Sequence, residues 1–144
     1  MKSNVSYKNG QLAWRFIEYP RLEEPSGILG VIEYGKELDF TIKRVFFLRN
    51  IEIGASRGFH AHDELKQFIF CANGSFVIEL DNGEQKYSYK LTQDSPGLWV
   101  DGKVWREMHS FSSNSVMMVL CDREYQFDTV VRDYADFQKN LERN

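Results

Sequence analysis

Two histidines stand one residue apart in the segment RGFHAH, at positions 60 and 62. The chain has only three histidines, so this segment holds most of them. In a β-strand, residues i and i+2 point to the same face of the sheet, so a strand here would place both imidazoles side by side. An imidazole titrates near pH 6.5 and can hold or release a proton at neutral pH. His60 and His62 are therefore candidates for acid–base chemistry.

The residues around this pair follow a fixed spacing with a glycine at each end. Gly54 lies six residues before His60, Gln67 lies five residues after His62, and Gly74 follows seven residues later. The pattern G-x5-H-x-H-x4-Q-x6-G resembles the first motif of the cupins, which has glutamate at the Gln67 position. In cupins the two histidines and the glutamate bind a metal, together with a histidine of a second motif.

Two of these four metal ligands are replaced in this chain. A neutral amide, Gln67, is a poor substitute for a carboxylate ligand of a divalent cation. The histidine position of the second motif, in VDGKVWREMH, holds Arg106, whose permanent charge would repel a metal ion. His109 falls three residues too late to take that position. We therefore predict no metal and no cofactor, which leaves His60 and His62 to work as acid and base.

The elements that must position these residues are predicted to be short strands rich in aromatic and branched side chains. They are AWRFIEY (13–19), ILGVIEY (28–34), IKRVFFL (42–48), KQFIFCA (66–72), SFVIEL (75–80), QKYSYKL (85–91), LWV (98–100) and SVMMVL (115–120). Asn73-Gly74 and the segment 81–83 are turn sequences, because Asn and Gly tolerate positive φ. We therefore predict an antiparallel meander from about Lys66 to Leu91, with Gln67 on the hairpin partner of the histidine strand.

Only the end of the chain has a helical pattern. Tyr134, Phe137 and Leu141 form one apolar stripe, and Asp133 is placed to cap the helix, which we predict over about 133–142. Many short strands and one terminal helix favour an all-β fold, a jelly-roll barrel or sandwich, in one domain spanning 1–144.

Composition excludes several classes of protein. The net charge of -3 offers no broad basic surface for nucleic acid, and no segment is long and apolar enough for a membrane span. The first residues contain no apolar stretch of a signal peptide, so we expect a cytoplasmic protein. Cys71 and Cys121 lie in apolar runs and are predicted to be reduced core residues, although a disulfide between them stays open.

Longer segments resemble one particular family of cupins. IKRVFFL, RGFHAHDELKQ, VWREMHSFSSNSVMMVL and VVRDYADF are similar to the dTDP-4-dehydro-6-deoxyglucose 3,4-ketoisomerases, which are metal-free cupins of nucleotide-sugar biosynthesis. The resemblance extends from about Gly27 to Phe137. It implies a cupin fold, a dTDP-linked 4-keto sugar as substrate and the 3-keto isomer as product, for 3-amino-3,6-dideoxyhexoses of surface polysaccharide such as lipopolysaccharide O-antigen. It also implies a homodimer with N-terminal strands, about 11–35, exchanged between subunits.

The resemblance further implies roles for the residues of the motif. His60 would be the base that removes the C3 proton, and His62 would shuttle protons or hold the ketone oxygen. Arg106 and Gln67 would stabilise the enediolate oxygen as cation and hydrogen-bond donor. The residues alone do not determine which histidine is the carbon base.

Five more residues match family positions and are candidate substrate contacts. Arg44 and Arg57 would meet the diphosphate or the sugar, or else face solvent. Trp105 would line the sugar site or fill the core. Glu107 and His109 would orient neighbouring groups or have no role in the site.

Two positions depart from the family pattern. This chain has Phe46-Phe47 where the family often has a tyrosine, and Ser26-Gly27 where Arg-Gly is common. These departures affect the expected sugar contacts more than the reaction class, and the sequence does not predict the galacto or gluco configuration at C4.

Three other functions remain open from the sequence. The chain could be an epimerase or isomerase of another nucleotide sugar, or a metal-dependent cupin that uses His60, His62 and His109. It could also be a cupin that binds a sugar without converting it.

Overall fold

The computed structural model describes residues 5–8, 10–125 and 130–142 of the chain. The described residues form thirteen strands and one helix: β1 (Val5–Lys8), β2 (Gln11–Ile17), β3 (Arg21–Glu24), β4 (Gly27–Gly30), β5 (Arg44–Leu48), β6 (Arg57–His62), β7 (Lys66–Asn73), β8 (Ser75–Asp81), β9 (Lys86–Thr92), β10 (Gly97–Asp101), β11 (Trp105–His109), β12 (Val116–Cys121), β13 (Val130–Val131) and α1 (Tyr134–Glu142).

Two antiparallel sheets pack face to face. One has the order β1-β2-β10-β7-β12-β5, and the other has the order β13-β6-β11-β8-β9. The space between them is filled by residues of both sheets, such as Trp14 and Ile69 of the first and Ile78 and Leu80 of the second. The prediction of an all-β sandwich with a short C-terminal helix is confirmed.

A second apolar layer covers the outer face of the six-stranded sheet. Side chains on a strand alternate between faces, so Gln67 and Ile69 point inward while Phe68 points outward. Phe68 packs there with Leu38 and Phe40, which belong to the connection between β4 and β5. This connection therefore contributes to the core although it contains no regular strand.

Each predicted strand has an observed counterpart, with the largest difference near position 30, whereas β1, β11 and β13 were not predicted. The strand predicted over 28–34 ends at Gly30, because β4 pairs only with β3, which was not predicted. The sequence RLEE of β3 has too few apolar residues to reveal a strand. Its hairpin with β4 lies outside the two main sheets, and Leu22, Ile28 and Leu29 are exposed on it.

The predicted meander from Lys66 to Leu91 is wrong in its first half, and Gln67 does not lie on a hairpin partner of the histidine strand, because β6 and β7 belong to different sheets. β7 belongs to the six-stranded sheet and β8 to the other, so the turn at Gly74 is a corner between sheets. Gly74 has φ 76°, and a Cβ there would collide with the Ser112 side chain. Asn-Gly provides positive φ for a corner as well as for a hairpin. The β8–β9 hairpin was predicted correctly, with Asp81 opposite Lys86.

The terminal helix lies against the outer face of the five-stranded sheet. Asp133 caps it, because its Oδ1 accepts a hydrogen bond from the Asp136 backbone N–H at 3.1 Å. Phe137 is buried against Trp105 and Ala61. The predicted helix and its cap are thus confirmed. Among the described residues, no helix has the length and apolar character needed to cross a bilayer.

Candidate active site

A cavity of about 420 Å³ lies between the two sheets and is lined by both of them. The five-stranded sheet contributes the two histidines of β6, and the facing sheet contributes residues of β5 and β7. The full lining is Arg44, Phe46, His60, His62, Gln67, Tyr125, Val130 and Arg132. The cavity therefore brings together two imidazoles, two guanidinium groups and aromatic walls.

The imidazoles of His60 and His62 lie next to each other on one face of β6. Their ring centroids are 4.8 Å apart and the ring planes are nearly perpendicular, at 87°. Ala61 points to the opposite face, where it is buried against the helix. The arrangement predicted from the spacing is therefore observed.

A β-bulge precedes His60 and changes the direction of the strand. His60 is opposite Arg106 and Gly58 is opposite Glu107, so Phe59 is an extra residue between them. Gly58 and Phe59 both have positive φ, 91° and 57°. A Cβ on Gly58 would lie 2.8 Å from the Arg106 carbonyl oxygen, which explains why this position is glycine. Bulges of this kind occur next to active sites, where they redirect a side chain.

The bulge determines which way Arg57 faces. Arg57 is opposite Met108, and directly opposed residues share a face of the sheet. Met108 points into the core, so Arg57 begins on the same face as His60, at the exposed end of β6. Without the extra residue, Arg57 would lie on the outer face.

Arg106 is buried between the sheets and is held by backbone carbonyls. Its guanidinium donates hydrogen bonds to the carbonyl oxygens of Asp101, Gly102 and Val104 at 2.8 to 3.2 Å. Its Nη1 also donates to Gln67 Oε1 at 2.5 Å, across the gap between the sheets. The position that holds a metal-binding histidine in other cupins is thus filled by a fixed cation.

Gln67 and Arg44 are connected through a buried thiol. Gln67 Nε2 and Arg44 Nη2 each lie 3.4 Å from Cys121 Sγ. The Arg44 guanidinium also lies 5.4 Å from the centroid of the Phe46 ring and 5.3 Å from that of Tyr125. Arg44 is therefore held inside the cavity, so the alternative that it faces solvent is excluded.

The electrostatics of the cavity favour neutral imidazoles. Burial, and then the charge of Arg106, lower the pKa of His60 to about 4 and that of His62 to about 2. A hydrogen bond to the Gly58 carbonyl opposes this change at His60. Burial lowers the pKa of Arg106 to about 10, so Arg106 remains a cation at pH 7. Two neutral bases therefore line the cavity, and the fixed positive charge of Arg106 is buried close enough to act on both.

Two polar atoms of the cavity are buried without a partner. His62 Nε2 and Arg44 Nε have no hydrogen-bond partner among the described residues. A buried polar group without a partner is costly, so such groups are rare in folded proteins. Both atoms belong to side chains that line the cavity, and a ligand with oxygen atoms would satisfy them.

Three predicted site residues lie on the other face of β11. Trp105 packs against the helix and donates through Nε1 to Glu107 Oε2 at 3.0 Å. His109 Nε2 lies 3.8 Å from Glu79 Oε2. Because faces alternate along a strand, a β11 that directs Arg106 inward directs Trp105, Glu107 and His109 outward. These three side chains do not line the cavity and are therefore not part of the active site.

Four residues that line the cavity were not among the predicted site residues. They are Phe46, Tyr125, Val130 and Arg132. Phe46 could have been found, because it lies two residues after Arg44 on one strand and so shares its face. Tyr125, Val130 and Arg132 come from the connection after β12 and from β13, where a single sequence offers no periodic signal.

The side chains at the cupin metal-ligand positions do not fit a metal ion. Among the described residues, no group of three or more His, Cys, Asp or Glu side chains is arranged to hold a metal ion. Gln67 and Arg106 also bond to each other where a carboxylate and a histidine would be needed. That the protein works without a metal remains a prediction.

Comparison with known proteins gives consistent matches over most of the chain. A family model described as FdtA: WxcM-like, C-terminal, matches residues 13–142. The chain is 40% identical over 129 residues to a TDP-4-oxo-6-deoxy-alpha-D-glucose-3,4-oxoisomerase from Aneurinibacillus thermoaerophilus, a match that covers 88% of this chain and 91% of that protein.

Solved structures show the same similarity. The sugar 3,4-ketoisomerase QdtA from Thermoanaerobacterium thermosaccharolyticum, in complex with TDP, aligns with a TM-score of 0.87 and 29% identity over 91% of this chain and 96% of that chain. A histidine-to-asparagine variant of QdtA, in complex with TDP-4-keto-6-deoxyglucose, aligns with a TM-score of 0.86 and 28% identity over 100% of this chain and 98% of that chain.

Proposed function

Because the chain belongs to the WxcM-like, C-terminal family represented by FdtA, we propose that it is a nucleotide-sugar 3,4-ketoisomerase acting on dTDP-4-keto-6-deoxyglucose. The fold is the cupin jelly roll expected from the sequence, and the chain is an isomerase. The observation that carries the assignment is the pair of neutral imidazoles, His60 and His62, beside the buried cation Arg106.

The first step is removal of the proton at C3 of the sugar. This C–H is weakly acidic because it is adjacent to the C4 ketone, and the electron pair it leaves forms an enediolate over C3 and C4. We assign the base to His60. Its single ring N–H bonds to the Gly58 carbonyl, so the other ring nitrogen carries no proton and can accept one.

The second step returns a proton to C4 and rearranges the protons on oxygen. C4 becomes a secondary alcohol, and the C3 hydroxyl loses its proton to become the new ketone. His62 is the second group for this work, since its Nε2 is buried without a partner and faces the same cavity. A sugar oxygen at this nitrogen would both satisfy it and place a proton donor or acceptor beside C4.

Arg106 and Gln67 complete the site by stabilising negative charge. The enediolate oxygen develops charge in a buried space, where a fixed cation has a stronger effect than in water. Arg106 is already held by three carbonyl groups, so it need not move when the charge appears. Gln67 Nε2 keeps a second N–H that can donate to the same oxygen.

Arg44 and Arg132 supply positive charge for the diphosphate, and Arg57, which does not line the cavity, adds charge at the exposed end of β6. Arg44 Nε is buried and without a partner, and Arg132 lines the cavity close enough to lower the pKa of both histidines. Arginine pairs with phosphate oxygens through two N–H groups at once. Phe46 and Tyr125 provide apolar walls for the thymidine or the sugar.

We further propose that the enzyme is a homodimer. Leu22, Ile28 and Leu29 are exposed on the β3–β4 hairpin, and Val45 and Phe47 are exposed on the edge strand β5. Clustered exposed apolar residues and an open sheet edge usually mark an interface. Exchange of the N-terminal strands, about 11–35, between two subunits would cover both.

The substrate also suggests where the enzyme works. Nucleotide sugars are made in the cytoplasm, and both cysteines, Cys71 and Cys121, are free and buried. We propose a cytoplasmic enzyme whose product is used for 3-amino-3,6-dideoxyhexoses of surface polysaccharide.

Turnover of the predicted substrate tests this function. The purified protein is incubated with dTDP-4-keto-6-deoxyglucose and excess chelator, and the products are followed by NMR. We expect a 3-keto product, whose C4 configuration the spectrum also reports. An unchanged substrate would contradict the assignment, and activity that returns only when a transition metal is added would indicate a metal-dependent cupin instead.

A further inference from the structure

The two cysteines of the chain have different surroundings, although both are buried in the main core. The Cys71 thiol lies 3.1 and 3.2 Å from the carbonyl oxygens of Asn73 and Gly74, at the corner between β7 and β8. The Cys121 thiol instead lies within 3.4 Å of two side-chain donors, Gln67 Nε2 and Arg44 Nη2, which both line the cavity. Cys121 is therefore in contact with the site, whereas Cys71 is in contact with backbone.

The strand register places Cys121 between these two donors. β12 lies between β7 and β5, and Cys121 is directly opposite Gln67 on one side and Arg44 on the other. Directly opposed residues share a face and have Cβ atoms about 4.5–5.5 Å apart. The three side chains thus form a row on the inner face of the six-stranded sheet, with the Cys121 thiol between two side chains that line the cavity.

This row continues to the other sheet. Gln67 accepts a hydrogen bond from Arg106 through Oε1 and donates one to Cys121 through Nε2. Arg44, Cys121, Gln67 and Arg106 therefore form one chain of contacts from the edge strand β5 to β11. It joins a cation proposed to meet the diphosphate to the cation proposed to stabilise the enediolate.

We propose that Cys121 is a positioning residue of the 3,4-ketoisomerase, an inference that rests on the proposed function. Its sulfur is the acceptor that holds Gln67 and Arg44 in place. Without it, one N–H of the buried Gln67 side chain would be unpaired and a partly buried N–H of Arg44 would lose its acceptor. A buried unpaired donor is costly enough to make the side chain turn away. A thiol is a weak acceptor, yet it is large enough to reach two donors at once.

The variants Cys121→Ala and Cys121→Ser test this role in turnover. We expect Cys121→Ala to lower kcat/KM at least about tenfold, since a small displacement of a catalytic group can cost up to about a hundredfold. Cys121→Ser should recover most of the loss, because a hydroxyl is also an acceptor. Cys71→Ala is the matched control: it removes a buried thiol of the same core and should leave kcat/KM near the wild-type value.

A double-mutant cycle distinguishes positioning from simple loss of packing. If Cys121 acts partly through Gln67, then Cys121→Ala should lower kcat/KM less in a Gln67→Ala background than in wild type, and the remaining loss passes through Arg44. Losses that add in full would show that the thiol does not act through Gln67, and a wild-type kcat/KM for Cys121→Ala would also overturn the proposal.

A readout that does not need turnover separates this inference from the proposed function. In ¹H–¹⁵N spectra, the side-chain signals of Gln67 and Arg44 Nε–H should shift and exchange faster with solvent in Cys121→Ala than in wild type, Cys121→Ser or Cys71→Ala. Unchanged signals would overturn the positioning role whether or not the enzyme is active. Changed signals in a protein that does not convert the sugar would contradict the proposed function alone.

Discussion

The charge of Arg106 has opposite effects on the two products of proton removal: it disfavours the protonated histidine and stabilises the enediolate. Its charge lowers the pKa of His60 and His62 and so keeps both imidazoles neutral and ready to accept a proton. The same charge would oppose protonation of His60 during catalysis. When the substrate is bound this cost is offset, because a negative enediolate that Arg106 stabilises forms as the proton leaves C3. The cation therefore favours the bound intermediate more than it disfavours the protonated base.

Replacement of Arg106 should change both the rate and its pH dependence. Arg106→Gln should lower kcat/KM by about two to three orders of magnitude, the range for loss of one group that stabilises an oxyanion. Because the cation lowers the histidine pKa values, its removal raises them, and the acidic limb of the pH–rate profile should move to higher pH.

Arg106→Lys is the matched control, because it keeps the charge. Its rate should fall while the acidic limb stays in place. An acidic limb that does not move in Arg106→Gln would show that Arg106 does not control the histidines, provided that circular dichroism confirms a folded variant.

Among the strands, β6 has the largest influence on the site, because its bulge sets the directions of the Arg57 and His60 side chains. It places Arg57 and His60 on one face and brings the backbone of Gly58 against that of Arg106. Positive φ at two successive residues, Gly58 and Phe59, is unusual in a strand and is retained where the surrounding structure requires it.

Gly58→Ala should therefore be harmful, and Gly54→Ala much less so. Both glycines have positive φ, but a Cβ at Gly54 meets nothing within 4 Å, whereas one at Gly58 lies 2.8 Å from the Arg106 carbonyl oxygen. We expect Gly58→Ala to lower stability by about 1–3 kcal/mol more than Gly54→Ala does, and to lower kcat/KM as well. Thermal unfolding and steady-state kinetics measure both, and equal effects of the two substitutions would show that the close contact has no consequence.

The sequence predicted those parts of the site that lie within one strand. His60 and His62 share a face because of their spacing alone, and the exchange of metal ligands for Gln67 and Arg106 was visible in the motif. No strand was predicted over Trp105–His109, so the alternation that separates Trp105 from Arg106 became evident only in the structure.

Contacts between strands could not be predicted in the same way. The position of Cys121 between Gln67 and Arg44 depends on the register of three strands that are far apart in sequence. The corner at Gly74 was mistaken for a hairpin because the same dipeptide serves both structures. Register and sheet assignment are set by packing of the whole core, which a single sequence does not reveal.

At the scale of the whole molecule, the histidines should make stability depend on pH. Their pKa values are about 4 and about 2 in the folded protein and near 6.5 in an unfolded chain. Below pH 6.5 the unfolded state binds more protons, so the stability that the neutral pair contributes is present above pH 6.5. It is lost as pH falls from 6.5 to about 4 for His60 and to about 2 for His62.

Denaturant unfolding at pH 7.5 and pH 5 measures this loss. The wild type should lose on the order of 4 kcal/mol more than the double variant His60→Asn/His62→Asn between these two values, about 2 kcal/mol for each histidine. Carboxylates titrate in both proteins, so the difference isolates the histidines. Equal losses would mean that the imidazoles are protonated in the folded state as easily as in the unfolded one.

The proposed dimer makes its own prediction about the hairpin. Sedimentation at micromolar concentration should show a dimer, and Leu29→Asp should shift it towards monomer, because a charge would be buried at the interface. Ile53→Asp replaces an aliphatic side chain that is 90% exposed and lies outside the hairpin, so it should leave the dimer intact. A monomeric wild type would contradict the proposal.

The most direct test of the proposed mechanism is deuterium exchange at C3 of the sugar. It is measured by NMR in deuterium oxide for wild type, His60→Asn and His62→Asn. If His60 removes the C3 proton, His60→Asn should lose turnover by about two to four orders of magnitude and should not exchange C3, while affinity for dTDP hardly changes. His62→Asn should still exchange C3 while failing to complete the isomerisation. Exchange at the wild-type rate in His60→Asn would contradict the assignment of the base.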